Sequence, residues 1–386
     1  MIMFKESAIH KFRKLPTPFY YYDVSILEKT LQCVSEEAGK YGYQIHYAVK
    51  ANANDKILKI IRDYGFGVDC VSGNEIAKVM NIGFDPECTV FAGVGKSDWE
   101  INFALDHNIF CFNCESKPEL EVINEFAAKK GKIAPIALRI NPNINPATHH
   151  YITTGIEENK FGISQWELDD ILSLLKNLEN VKLIGLHFHI GSQIIDLRSF
   201  KSLCMSVNQI QERFIKYQII VDHINVGGGL GINYNDPDKD TIPDFAEYFG
   251  LFNNLLELRP KQKVHFELGR SIIAQCGSLI TRVLYIKNGV KTKFAIVDAG
   301  MTELLRPALY QAYHRIENLT SYGKSDRYDV VGPICESSDC FGKYIELPET
   351  KRNDLLAIRS VGAYGEIMAF RYNLRDLVKS YYSDEL

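Results

Sequence analysis

The sequence has no run of about 18 apolar residues, so it offers no helix able to span a bilayer. It has no basic block either. Lys and Arg number 44 against 48 Asp and Glu, a formal net charge of −4, which leaves no electrostatic footprint for nucleic acid. Cysteine occurs nine times, an odd count without regular spacing, which favours reduced thiols in the cytoplasm over a disulfide framework. Residues 1–18 lack a signal-peptide core, because Lys5, Glu6, His10, Lys11, Arg13 and Lys14 interrupt their apolar positions. Low-complexity segments are absent. What is present is 386 residues, 46% hydrophobic and 24% charged, enough to bury a core without disulfides or structural metal. These features indicate a cytoplasmic enzyme or small-molecule binder, with no nucleic-acid or membrane partner.

Eight β-rich runs, over 44–49, 67–70, 89–92, 109–112, 133–140, 183–190, 223–226 and 264–268, alternate with amphipathic stretches. Five of these stretches carry Ser-x-x-Glu: Ser25–Glu28, Ser72–Glu75, Ser97–Glu100, Ser116–Glu119 and Ser164–Glu167. In that pattern the serine oxygen accepts from a first-turn N–H and the glutamate reaches back to the serine N–H. The count and length match a (β/α)8 barrel. An open, doubly wound sheet fits the same alternation, since periodicity does not show closure. From about residue 266 short β runs over 281–286, 294–297, 328–331 and 355–361 alternate with turns, which predicts a mostly antiparallel second domain. Segment 19–23 has no place among eight barrel strands and is assigned there. The expected division is a barrel over 24–265 and a β domain of 1–23 plus 266–386. The polar stretch 141–159 is long for a plain connection and reads as an active-site loop.

Active sites of such barrels lie at the C-terminal strand ends, and the unusual residues of this chain fall there. Lys50 follows the first strand; it is either a solvated strand end or a lysine that bonds to a carbonyl compound. His187 and His189 alternate onto one face of the sixth. Interior packing is the preferred reading of His187, and no third ligand completes a zinc site, so no metal is expected. Gly227, Gly228, Gly229 and Gly231 follow the seventh strand, as a phosphate cradle or only a tight turn. Glu267 and Arg270 end the eighth, where a structural ion pair is the plain alternative. Together these strand ends supply an amine, a flat ring, a phosphate cradle and a carboxylate, the groups that hold pyridoxal 5′-phosphate. In the second domain Cys335, flanked by Gly-Pro and by Glu336, Ser337, Ser338 and Asp339, is expected to be exposed and able to transfer protons. The Cys111 and Cys114 pair reads as core packing, and His149 and His150 receive no role.

In order along the chain stand Tyr-Ala-Val-Lys-Ala-Asn at 47–52, His-Ile-Gly-Ser-Gln at 189–193, Gly-Gly-Gly-Leu-Gly at 227–231 and Glu-Leu-Gly-Arg-Ser at 267–271. Asp-Ala-Gly-Met at 298–301, Arg-Pro-Ala-Leu-Tyr at 306–310, Cys-Glu-Ser-Ser-Asp at 335–339 and Gly-Ala-Tyr at 362–364 complete the set. This ordered set, spanning about residues 17 to 373, resembles the fold-type III pyridoxal-phosphate decarboxylases, which share the alanine-racemase-like architecture. The resemblance implies that Lys50 is the lysine bonded to the cofactor, that His189 stacks on its ring and that Glu267 pairs with its pyridine nitrogen. It places Gly227, Gly228, Gly229, Arg270 and Tyr364 around the phosphate. Arg270, Arg306, Tyr310 and Tyr364 are implied to contact substrate, Glu336 to engage it across a homodimer, and Cys335 to donate the proton. The implied activity is decarboxylation of meso-2,6-diaminopimelate to L-lysine, the last step of lysine biosynthesis. Ornithine, lysine, arginine or carboxynorspermidine as substrate, or a non-catalytic homologue that binds the cofactor, are the alternatives. The chain departs from the family pattern at Leu268, where proline is common, and at Phe370 and Arg371, where Ser-Asn is usual.

Overall fold

The computed structural model describes residues 4–144 and 160–386, so most of the polar stretch, together with His149 and His150, lies outside the described residues. The chain divides into two compact units, one made of Met1–Thr30, Ile232–Pro243 and Arg270–Leu386, the other of Leu31–Gly231 and Asp244–Gly269. The first strand, β1 (Phe19–Tyr22), belongs to the former. The latter unit is a closed barrel of eight parallel strands: β2 (Gln44–Ala48), β3 (Gly67–Cys70), β4 (Thr89–Phe91), β5 (Cys111–Cys114), β6 (Ala134–Arg139), β7 (Val181–His187), β8 (His223–Asn225) and β9 (Lys263–Leu268). Closure is made by β9 pairing with β2, His46 opposite Glu267. The open-sheet alternative is thereby excluded.

Alternation along β9 explains how the barrel is held. Phe266 points outward, its ring centroid 4.9 Å from Phe249, 5.0 Å from Phe252, 5.1 Å from Tyr43 and 5.6 Å from Tyr248. Each such aromatic pair adds about 0.5–1.5 kcal/mol beyond its area burial. His265 and Glu267 point the other way, into a barrel interior that is polar where branched apolar layers are usual. His46 Nδ1 donates to the Cys88 carbonyl at 3.1 Å, since a carbonyl can only accept; His46 Nε2 lies 2.9 Å from His265 Nδ1, and His265 Nε2 lies 2.9 Å from His223 Nδ1. With every ring neutral, one proton arrangement satisfies all three contacts, each ring donating from Nδ1. Burial lowers the pKa of all three histidines, most strongly at His265, and so favours that neutral chain.

The other unit is a mostly antiparallel sheet of eight strands, β1 with β10 (Gly277–Asn288), β11 (Lys293–Val297), β12 (Ile316–Asn318), β13 (Ser325–Val331), β14 (Cys340–Pro348), β15 (Leu355–Ile358) and β16 (Ser380–Tyr382). Only β1 with β16 and β11 with β13 run parallel. The long β10 pairs with β1 and β15 through its first half, then shifts register between Val283 and Tyr285 and pairs with β11. Segment 19–23 joins this sheet through β1, whose Phe19 and Tyr21 enter a core with Phe12, Ile280 and Leu355.

Four of the five Ser-x-x-Glu pairs start helices. Ser25 does not, because the helix Val24–Gly39 already includes it and Asp23 accepts from Ile26 N–H instead. The strand expected over 109–112 forms two residues later, as β5: Phe110 N–H bonds Pro86 outside the ladder, while Asn113 is held inside the barrel by its amide. The boundary drawn at 265 falls within β9, and Ile232–Pro243, expected in the barrel, is part of the sheet unit. β12, β14 and β16 were not expected; β14 has an exposed, charged central section without a clean apolar alternation.

Candidate active site

At the C-terminal end of β2 the chain leaves the barrel through a single tight turn, Val49–Ala51, with Lys50 at its middle. Val49 and Ala51 are buried on either side of it, while the Lys50 side chain is partly exposed. Its Nζ lies 2.7 Å from Asp69 Oδ2 of β3. Asp69 is fully buried, and its Oδ1 has no hydrogen-bond partner among the described residues. Burial, then the Glu267 charge, pushes the Asp69 carboxyl up to about 6 in spite of Lys50. The contact places Lys50 for proton exchange with a buried carboxyl.

Glu267 sits one strand away, in the polar interior. Its Oε1 accepts from Asn225 Nδ2 at 2.8 Å and from Asn113 Nδ2 at 3.1 Å; its Oε2 accepts from His187 Nε2 at 2.8 Å. Burial alone would raise its pKa, but the His187 contact and the Lys50 ammonium hold it well below the ordinary carboxylate range. A carboxylate has about four acceptor positions, and these three contacts leave one, on Oε2. That open acceptor fits a protonated pyridine nitrogen. His189 follows β7, and its Nδ1 accepts from Gly228 N–H at 3.3 Å. Burial and then the Arg139 charge hold its pKa well below the ordinary value, so it presents a neutral, flat ring. The glycines have a backbone reason: a Cβ at Gly228 would stand 1.9 Å from the Glu267 carbonyl, and Gly227 has φ +71°. Two of the expected cradle N–H groups are committed within the protein, Gly227 to Asn225 and Gly228 to His189. Among the described residues no group of three His, Cys, Asp or Glu is placed to hold a metal ion.

The strand ends are tied by Glu115, which accepts from Arg139 Nη1 at 2.8 Å, Gly93 N–H at 3.0 Å and Gly162 N–H at 3.0 Å. Lys96, almost fully buried, bonds Glu119 and the carbonyls of Gly93 and Asn113.

In the sheet unit, Arg270, Arg306 and Tyr364 gather about Tyr234. Arg270 Nη1 donates to Tyr234 Oη at 2.5 Å and Arg306 Nη1 to the same oxygen at 3.0 Å. The Arg270 guanidinium lies 4.9 Å from the Tyr364 ring centroid. Tyr310 ends the short helix that Arg306 begins. Cys335 and Glu336 lie on an exposed loop of the same unit, where Cys335 N–H donates to Asn373 and the Tyr372 hydroxyl donates to Glu336 at 2.7 Å. Asp339 shapes that loop by accepting from Ile334 N–H at 2.7 Å and Met301 N–H at 2.6 Å, so the 298–301 motif is an anchor. Of the departures from the family pattern, Leu268 is a buried end of β9, Phe370 N–H donates to the Thr302 carbonyl, and Arg371 is exposed.

Sequence reasoning missed Asp69, Asn113, Asn225 and Tyr234, and undervalued His187. For the first three and His187 the available signal was a polar residue inside an otherwise buried strand; Tyr234 carried none.

A lysine, a carboxylate with one open acceptor and a neutral histidine ring at the end of a parallel barrel define a pyridoxal-phosphate enzyme of the barrel type. The model of the pyridoxal-dependent decarboxylase family, pyridoxal binding domain, matches residues 25–274. The chain belongs to that family. It is 59% identical over 379 residues to a diaminopimelate decarboxylase of Bacteroides thetaiotaomicron, covering 98% of each chain. A crystal structure of diaminopimelate decarboxylase from Helicobacter pylori complexed with L-lysine superposes with a TM-score of 0.91 at 40% identity, covering 97% of this chain and 93% of that one. A lysine/ornithine decarboxylase from Vibrio vulnificus complexed with putrescine shares the fold, with a TM-score of 0.86 at 19% identity and full coverage of both chains. The fold alone therefore does not select the substrate; side chains must.

Proposed function

We propose that this enzyme decarboxylates meso-2,6-diaminopimelate to L-lysine, consuming one proton and releasing carbon dioxide, as the last step of lysine biosynthesis in the cytoplasm. Bound pyridoxal phosphate supplies the electron sink for the breaking carbon–carbon bond. Lys50 holds it covalently, with Asp69 as store for the lysine's proton. Glu267 accepts from the ring nitrogen and keeps it protonated, and His189 covers the ring. Gly229 and the neighbouring loop, with Arg270 and Tyr364, receive the phosphate. Arg270, Arg306, Tyr310 and Tyr364 bind substrate. Cys335 delivers the proton that replaces the carboxylate, and Glu336 meets the distal ammonium, each acting in the partner's site of a homodimer.

The observation that carries the substrate is the arginine pair about Tyr234. Diaminopimelate ends in a carboxylate and an ammonium, whereas lysine and ornithine end in an ammonium alone. Two guanidiniums offer forked donors to a carboxylate and repel a bare ammonium. An unpaired buried charge costs about 3–5 kcal/mol, so diaminopimelate is expected to react faster than lysine or ornithine by several powers of ten. The test incubates the protein with pyridoxal phosphate and each diamino acid, scoring carbon dioxide and product. Turnover of ornithine or lysine with diaminopimelate inert would transfer the assignment to those substrates.

A further inference from the structure

Tyr234 has no part in the chemistry above, yet both arginines converge on it. It lies three residues beyond Gly231, in the Ile232–Pro243 segment that belongs to the sheet unit. Its oxygen accepts from Arg270 and from Arg306, and the Arg306 guanidinium lies 5.1 Å from its ring centroid. Arg306 is held from a second side, donating to His314 Nε2 at 2.9 Å, while His314 Nδ1 donates to the Arg359 carbonyl at 2.9 Å. A ring that accepts at Nε2 and donates at Nδ1 is neutral and confined to one tautomer. His314 also meets the Tyr234 ring edge-on at 5.1 Å. Both arginines are buried, and Arg306 Nε has no hydrogen-bond partner among the described residues.

Two guanidiniums this close repel each other, and the shared phenol oxygen is what draws them together. With both lone pairs of that oxygen taken, the phenol has only its O–H left to offer. The array therefore presents donors alone, which suits an anion and no cation. We infer that Tyr234 is a positioning residue that clamps Arg270 and Arg306 into one carboxylate receptor and so sets affinity for the acidic substrate. This rests on the substrate reading given above. The groups facing Tyr234 are Arg270, Arg306 and His314, with Tyr364 behind Arg270. Burial alone would raise the phenol's pKa, but the two guanidiniums lower it overall. Its ionisation in alkaline solution would cancel part of the receptor's positive charge.

The test is Tyr234→Phe in the holoenzyme, which keeps the ring and its contacts with Arg306 and His314 but removes the shared acceptor. KM for meso-diaminopimelate should rise about 10- to 150-fold, the worth of a hydrogen bond to a charged group, with kcat changed far less and cofactor content retained. The wild type should show KM rising in alkaline solution and the variant should lack that rise. A crystal structure of the variant should show the two guanidiniums further apart. An unchanged KM, guanidiniums that stay in place, or a loss confined to kcat would overturn the clamp. A wild type that ignores diaminopimelate would sink the substrate reading instead, and the clamp would then be judged by the same KM ratio on whichever amino acid is turned over.

Discussion

Glu267→Gln keeps the length and shape of the side chain and removes its charge, so it separates holding the cofactor from tuning it. The amide can turn its oxygen toward the Asn113 and Asn225 donors, leaving its NH2 against His187 Nε2. His187 can adapt: its buried Nδ1 has no partner among the described residues and can carry the ring proton while Nε2 accepts. No cavity opens, but the ring proton then sits on a buried Nδ1 without an acceptor among the described residues, so the variant should fold with a loss of about 1–3 kcal/mol of stability. What disappears is the open acceptor on Oε2, where the amide now offers a second donor to the ring nitrogen. A hydrogen bond to a charged group is worth roughly 1.5–3 kcal/mol, and 1.36 kcal/mol is a factor of ten in rate, so kcat should fall about 10- to 150-fold. Steady-state kinetics with cofactor content read from visible absorbance are the assay. A kcat within about threefold of wild type with the cofactor bound would refute the role given to Glu267. Parallel loss of cofactor and rate would mean that the carboxylate holds the ring without tuning it.

Two further outcomes follow from the buried histidines and from the exposed loop. His265 and His314 are held well below their ordinary pKa, each by burial first, and so stay neutral in the fold while the unfolded chain takes up protons near pH 6.5. The unfolded state then binds more protons, so stability is lost as pH falls below about 6.5, by up to about 1.4 kcal/mol per group per pH unit until the folded pKa is reached. Glu75, raised by burial to about 7, works the other way by taking up a proton in the fold, so the check is urea midpoints at about pH 7.5 and 5.5 in Glu75→Gln chains, where an equal or higher midpoint at the lower pH would contradict it. For the composite site, inactive Lys50→Ala and Cys335→Ala chains should recover part of the activity when mixed and allowed to exchange, because one site of the hybrid dimer has both residues intact. Proven exchange without recovery would return Cys335 to its own chain's site or remove it from the chemistry.

Alternation and capping are local properties, and they carried far. Eight β runs separated by capped helices specified a parallel α/β unit, and the loss of that alternation near residue 266 specified a different second one. The ordered motifs marked Lys50, His189 and Glu267, because a titratable residue at an apolar strand end stands out in one dimension. Closure did not stand out. It depends on β9 pairing with β2, some two hundred residues apart in sequence, which no local pattern encodes. Strand ends were misjudged for a related reason: an apolar run reports burial, whereas a strand ends where pairing ends, and so β5 forms two residues after the run that announced it.

The supporting groups of the site were decided by tertiary structure alone. Asp69 is a short acidic residue in a short strand until β3 lies beside β2 and brings it to Lys50. Asn113, Asn225 and His187 come from three strands and meet only because those strands curve around a common interior, where an acceptor such as Glu267 must find its donors within the protein. Tyr234, Arg270 and Arg306 come from three separate stretches of the chain, and their mutual distances belong to the folded sheet unit. The sequence by itself determined which kinds of residue this protein has for its chemistry. Which of them share a proton, a charge or an acceptor was set by the packing of segments distant in the chain, since hydrogen bonds and Coulomb interactions act through space at a few ångströms and have no periodicity to betray them.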